Sequence, residues 1–145
     1  MLVDPRGQRF AATITSLVLA AVLLSGGWIS TALLAVQLVV FAIGAVLGLQ
    51  ASPYAWLFRS FVRPRLSPPS ELEDARPPRF AQGVGLVFAA VGLVGFATGA
   101  TVVGVVAVAL ALGAAFLNAA FGFCLGCEIY LLARRFVSSR ALAPR

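Results

Sequence analysis

Lysine and histidine are both missing from the chain: all eleven basic residues are arginine. Without histidine it lacks the commonest metal ligand and the commonest general base. Cysteine is confined to Cys124 and Cys127. Two thiolates alone do not close a four-ligand zinc site within one chain. No cofactor is called for. Charge is scarce as well, at 11% of residues against about a quarter in soluble domains. The net charge of +6 raises the question of nucleic acid. The arginines, however, flank apolar runs and form no basic domain of their own, so nucleic acid is not an expected partner.

What is abundant is apolar sequence, 61% of 145 residues. A water-soluble fold of this composition would expose large apolar patches. The length accommodates one membrane domain of about four helices at roughly 20 residues each. The first span is expected over Phe10–Leu24, retained rather than cleaved as a signal. Ser25-Gly26-Gly27 forms a tight turn, and a second span covers Trp28–Leu49 with Gly44-x-x-x-Gly48 on one face. Ser52-Pro53 breaks that helix. Tyr54–Val62, where aromatics mix with arginine, reads as a short interfacial helix. Residues 64–78 carry Pro64, Pro68, Pro69, Pro77 and Pro78 with acidic Glu71, Glu73 and Asp74, and read as an extended, solvated linker. The third span covers Phe80–Phe96, the second turn Gly99-Ala100-Thr101, and the fourth span Val102–Phe121. Glu128–Val137 reads as a second interfacial helix, and residues 138–145 as a polar tail.

The arginines also order the chain across the bilayer. They cluster at the N-terminus, in the linker and at the C-terminus, and both tight turns are uncharged. Four spans bring the three basic segments to one side, which the positive-inside rule makes cytoplasmic. Localisation in the cell membrane with both termini cytoplasmic is therefore expected.

An internal repeat is also expected. Asp4-x-Arg6-x-x-Arg9-Phe10-Ala11 recurs as Asp74-x-Arg76-x-x-Arg79-Phe80-Ala81, and Arg59-Ser60-Phe61-Val62 resembles Arg134-Arg135-Phe136-Val137. The expected fold class is all-α: four transmembrane helices as two parallel two-helix repeats, residues 4–63 and 74–137, each followed by an interfacial helix. Aligning the Arg-x-Phe-Val ends sets Leu49 opposite Cys124 and Ser52 opposite Cys127.

The candidate for chemistry is Cys124-x-x-Cys127. Such a spacing lets two thiols form a disulfide when the first stands just before, or in, the first turn of a helix, whose N-terminus stabilises a thiolate. Gly122 and Gly126 bracket Cys124 and suit a helix break. Length requires one, since Val102–Val137 as one helix would run about 54 Å through a ~30 Å core. Cys124 is the candidate attacking thiol and Cys127 the resolving thiol. Inert packing, palmitoylation and metal binding are the competing readings of the pair. Asn118, deep in span four, is an intramembrane amide with Gln37 as candidate partner; packing and lining a small polar cavity under the thiols are its two readings. Glu128 suits the start of a helix and is placed to pair with Arg134 or Arg135. Arg6, Arg9, Arg76 and Arg79 read as headgroup anchors.

The opening Asp4-Pro-Arg-x-x-Arg-Phe10 and the Phe123-Cys-x-Gly-Cys127 segment followed by Tyr130 resemble an actinobacterial integral-membrane family classed as a domain of unknown function. The resemblance spans most of the chain. It implies thiol or sulfur traffic, since members tend to be encoded near thioredoxin-like proteins and rhodanese-type sulfurtransferases, which become candidate cytoplasmic partners. The leading expectation is thiol or sulfur handling by a cytoplasm-facing dithiol. The alternative is a non-enzymatic scaffold, or a small-molecule transporter, with packing cysteines. A homo-oligomer suits either.

Overall fold

The computed structural model describes residues 1–141, with the side chains of residues 139–141 excepted. Residues 142–145, with Arg145, and the side chain of Arg140 lie outside the described part. Helix α1 (Pro5–Ser25) turns through Gly26 into α2 (Gly27–Ala42), which a π-helical turn extends over Ile43–Leu47. After a 3-10 turn over Leu49–Ala51, the short α3 (Pro53–Leu57) continues irregularly to Arg65. Helices α4 (Arg76–Ala97), α5 (Thr101–Phe121) and α6 (Leu125–Ala141) complete the chain.

Four of these segments are long and apolar enough to cross a membrane: Pro5–Ser25, Gly27–Leu47, Arg76–Ala97 and Thr101–Phe121. At 1.5 Å per residue, about 21 residues make a rod of roughly 31 Å, the thickness of a hydrocarbon core. The chain is a multi-pass membrane protein. Leu17, Val36, Val87, Val94 and Phe116 point outward from these helices as a lipid-facing surface. Inside, Leu19, Val22, Leu34, Phe41, Ala89 and Val108 form the core.

Each span packs on its chain neighbour and on one span of the other pair: α1 against α2 and α5, α4 against α5 and α2. Small residues allow the closest crossing. A Cβ placed on Gly95 of α4 would stand 2.7 Å from the backbone nitrogen of Gly104 in α5. The Gly44-x-x-x-Gly48 pair divides its work. Gly44 faces the Gln82 side chain of α4, whereas Gly48 takes φ +102° where the π turn ends, and a Cβ there would meet nothing within 4 Å.

Several sequence expectations change at the ends of the spans. Helix α1 begins at Pro5, because Asp4 caps it: its carboxylate accepts the Arg6 backbone N–H at 2.9 Å. The linker expected over residues 64–78 is shorter. Pro77 and Pro78 sit in the first turn of α4, where a missing N–H costs nothing. Nor is the acidic part of the linker free: Leu2–Val3 (β1) pairs antiparallel with Glu73–Asp74 (β2). Residues 138–141 continue α6 and are not a separate tail.

Three of the four arginines expected at headgroups, Arg6, Arg9 and Arg79, also bond to the fold through their side chains. Arg6 clasps Asp4 with two side-chain hydrogen bonds, 3.1 and 2.9 Å. Arg9 donates to the carbonyls of Ala119 and Ala120 at the end of α5. Arg79 donates to those of Ala45 and Val46 at the end of the second span, at 2.7 and 2.6 Å. The last carbonyls of a helix lack intrahelical donors and carry its negative dipole end, so a guanidinium suits them. These contacts gather both span starts and both span ends at one end of the bundle.

Candidate functional site

The site begins where α5 stops. Gly122 adopts a left-handed conformation (φ 69°, ψ 14°) and returns its N–H to the carbonyl of Asn118. Such a φ carries no Cβ penalty for glycine. Phe123 adds a second link, to the carbonyl of Leu117. The chain then restarts as α6 at Leu125, which leaves Cys124 as the residue before the first turn. Its carbonyl accepts the N–H of Glu128 at 3.0 Å, and its Sγ accepts the N–H of Cys127 at 3.3 Å. Cys124 thus occupies the capping position that Ser or Asp usually fills.

Cys124 and Cys127 are joined as a disulfide, with Cα atoms 5.2 Å apart. Both are half-buried. Chemically, a sulfur at a helix N-terminus faces unpaired N–H groups and the positive dipole end, the setting that favours thiolate over thiol after reduction.

Gly126 differs from the expectation that it supplies the turn. It lies inside α6 without a positive φ, and Gly122 makes the break. Gly126 is a contact residue instead: a Cβ there would stand 2.6 Å from Cβ and 2.7 Å from Cα of Ala81 in α4. The ring of Tyr130 lies 5.6 Å from that of Phe80, also on α4. The dithiol is therefore fixed by two neighbours, the end of α5 and the side of α4.

Asn118 does not meet Gln37. Gln37 is fully buried between Thr15, to which it donates at 3.5 Å, and Tyr54, whose hydroxyl donates to it at 2.7 Å. Asn118 instead lines a cavity of about 290 Å3 next to Cys124, together with Gln8, Thr15 and Gln82. Sequence reasoning had no signal for the two glutamines, which come from the starts of α1 and α4. They also line a second cavity of about 290 Å3, beside Ser52, Arg59 and Arg63. Glu128 stands exposed in the first turn of α6, and among the described residues it forms no ion pair with Arg134. Among the described residues no three potential metal ligands gather in one place.

Residues 3–135 match the family model described as Domain of unknown function (DUF4395), and the chain belongs to that family. No curated protein and no solved structure matches it.

Proposed function

We propose that this DUF4395 protein handles thiols or sulfur through reversible oxidation of Cys124 and Cys127, in exchange with a soluble thiol partner of the thioredoxin or sulfurtransferase kind. The observation that carries the reading is the capping geometry: Cys124 Sγ receives the Cys127 N–H at 3.3 Å. A packing cysteine has no need of that position, whereas a nucleophilic thiolate gains from it. In the exchange, a partner thiolate attacks one sulfur of the Cys124–Cys127 disulfide. The partner's second thiol then breaks the mixed disulfide, leaving the protein as a dithiol and the partner oxidised. The reverse direction starts from the Cys124 thiolate, and Cys127 resolves it.

The basic end of the bundle is assigned to the cytoplasm by its arginines. A disulfide in that reducing compartment is a working state more than a structural staple.

The domain is read as two like halves, residues 4–63 and 74–137. Several contacts support this. Asp4 and Asp74 each accept the N–H of the arginine two residues on, at 2.9 and 3.0 Å. Arg9 and Arg79 each reach the closing carbonyls of the other half. Phe10 stacks near Phe58 as Phe80 does near Tyr130. The carbonyl of Ser52 accepts the N–H of Trp56 as that of Cys124 accepts Glu128. By this equivalence Cys124 corresponds to Ser52, three residues from the register that the Arg-x-Phe-Val ends imply. The first half has a hydroxyl where the second has a reactive sulfur.

The reading is tested by alkylating native membranes with and without prior reduction, followed by intact mass. Reduction should add two alkyl groups, at Cys124 and Cys127. Thiols unreactive in both conditions would favour the packing scaffold.

A further inference from the structure

The dithiol is not set on an open surface. Cys124 forms part of the wall of the cavity that runs from the α5–α6 break into the bundle. Among the described residues no Arg, Asp or Glu lines this cavity. Its polar groups are the amides of Gln8, Gln82 and Asn118 and the hydroxyl of Thr15, set among aliphatic and aromatic side chains. On its rim Leu110 and Ile129 are 56% and 49% exposed, and Leu110 belongs to a membrane-spanning helix. The cavity therefore reaches the lipid-facing surface.

These walls select a ligand class. An anion entering here would lose hydration without meeting a counter-charge. A flat apolar ring loses little, and carbonyl oxygens on it would accept hydrogen bonds from the amide N–H groups. The volume, about 290 Å3, sits at the lower edge of the roughly 300–1,000 Å3 of small-molecule pockets. That suits one ring system, with any tail left in the bilayer.

We propose that this cavity binds a lipid quinone and that the quinone is the electron acceptor of the Cys124–Cys127 dithiol, an inference that rests on the thiol reading above. In the step, both S–H bonds break and one S–S bond forms. Two electrons and two protons pass to the quinone, whose two carbonyl oxygens become the hydroxyls of a quinol. The soluble thiol partner reduces the disulfide again and is itself oxidised. Electrons thus run from cytoplasmic thiols into the membrane.

The full chain, purified in detergent, reduced and freed of reductant, is mixed with a short-chain ubiquinone, whose fully substituted ring cannot add thiols at a free ring carbon, and followed by absorbance. One quinol should appear for each disulfide formed. Ala114→Phe, which fills the cavity from α5, should slow the reaction roughly tenfold or more, equivalent to ~1.4 kcal/mol. Val36→Phe, on the outward face of α2, should not. In parallel, a soluble thioredoxin is tested on the same disulfide. Exchange with thioredoxin but no quinol, or Ala114→Phe as fast as the unmodified chain, overturns the quinone inference and leaves the thiol reading standing. Thiols inert to both reagents remove both. An azido-naphthoquinone photolabel on the unmodified protein avoids reliance on folding of the variant: label should fall within residues 8–15, 78–88, 110–118 or 124–129 or on Phe41, which line the cavity, and label elsewhere overturns the site.

Discussion

Gly126 and Ala81 meet so closely that a Cβ on the glycine would stand 2.6 Å from the Cβ of the alanine. This contact sets how near α6 lies to α4, and with it where the two sulfurs stand. Gly126→Val should lower stability by about 1–3 kcal/mol through overpacking. Membrane levels should hold, because insertion follows the hydrophobicity of the spans. The alkylation rates of reduced Cys124 and Cys127 should change. Unchanged rates would mean that the α4–α6 contact does not set the dithiol geometry.

Arg79 and Arg9 should contribute unequally. The Arg79 bonds to Ala45 and Val46 are 2.7 and 2.6 Å, whereas those from Arg9 to Ala119 and Ala120 are 3.2–3.3 Å. Replacing either by Gln should cost about 1 kcal/mol, with Arg79→Gln the larger loss. They share no acceptor, so the double variant should be additive within ~0.5 kcal/mol in thermal unfolding. Strong non-additivity would show the two arginine contacts to be coupled.

Tyr54 holds the one hydroxyl that satisfies the buried Gln37 carbonyl oxygen. Tyr54→Phe should cost about 1–3 kcal/mol by leaving that oxygen unpaired. Adding Gln37→Leu should restore part of the loss, because the amide oxygen is then gone and only the long 3.5 Å bond to Thr15 is given up. Equal melting temperatures for Tyr54→Phe and the unmodified chain would contradict this.

Asp4 gives the fold an acid limit. The hydrogen bond from Arg6 holds its carboxyl below the usual range, assisted by the nearby Arg63 charge. A carboxyl depressed in the folded state contributes stability fully above its unfolded value, about 3.9. That contribution is lost as pH falls through the folded value. Melting temperature should therefore drop on acidification, and Asp4→Asn should flatten that drop while lowering stability at neutral pH.

Topology is open to direct labelling in a chain whose Cys124 and Cys127 are replaced by serine. Ser70→Cys should react only from the cytoplasmic side. Trp28→Cys and Val102→Cys, exposed beside the two tight turns, should react only from outside. They serve better than Gly27 or Gly99, whose positive φ penalises any side chain. Reversed labelling would overturn the cytoplasmic assignment of the dithiol.

The spans and the break before α6 could be read from sequence because both follow from length and hydropathy. Details at the helix ends could not, for local reasons. Proline marks a linker and the first helical turn equally well, so sequence alone puts Pro77 and Pro78 in the linker. Glycine serves both positive φ and close approach, so the sequence does not tell that Gly122 makes the turn and Gly126 the contact. Gln37 finds Tyr54 only because the chain folds back after Ser52. Arg9 and Arg79 bind main-chain carbonyls, and an acceptor of that kind has no letter in the sequence. The pairing of Leu2–Val3 with Glu73–Asp74 is too short to leave an alternating pattern.

The crossing of the two arginines has a consequence for how the protein is made. Synthesis runs from the N-terminus, so α2 reaches the bilayer before Arg79 exists. Its final carbonyls, at Ala45 and Val46, meet headgroup water until then. Arg9 waits longer, until Ala119 and Ala120 emerge. Neither half can finish its own helix ends alone. A nascent chain stopped before α5 therefore carries at its start a guanidinium without the carbonyls it binds in the finished fold.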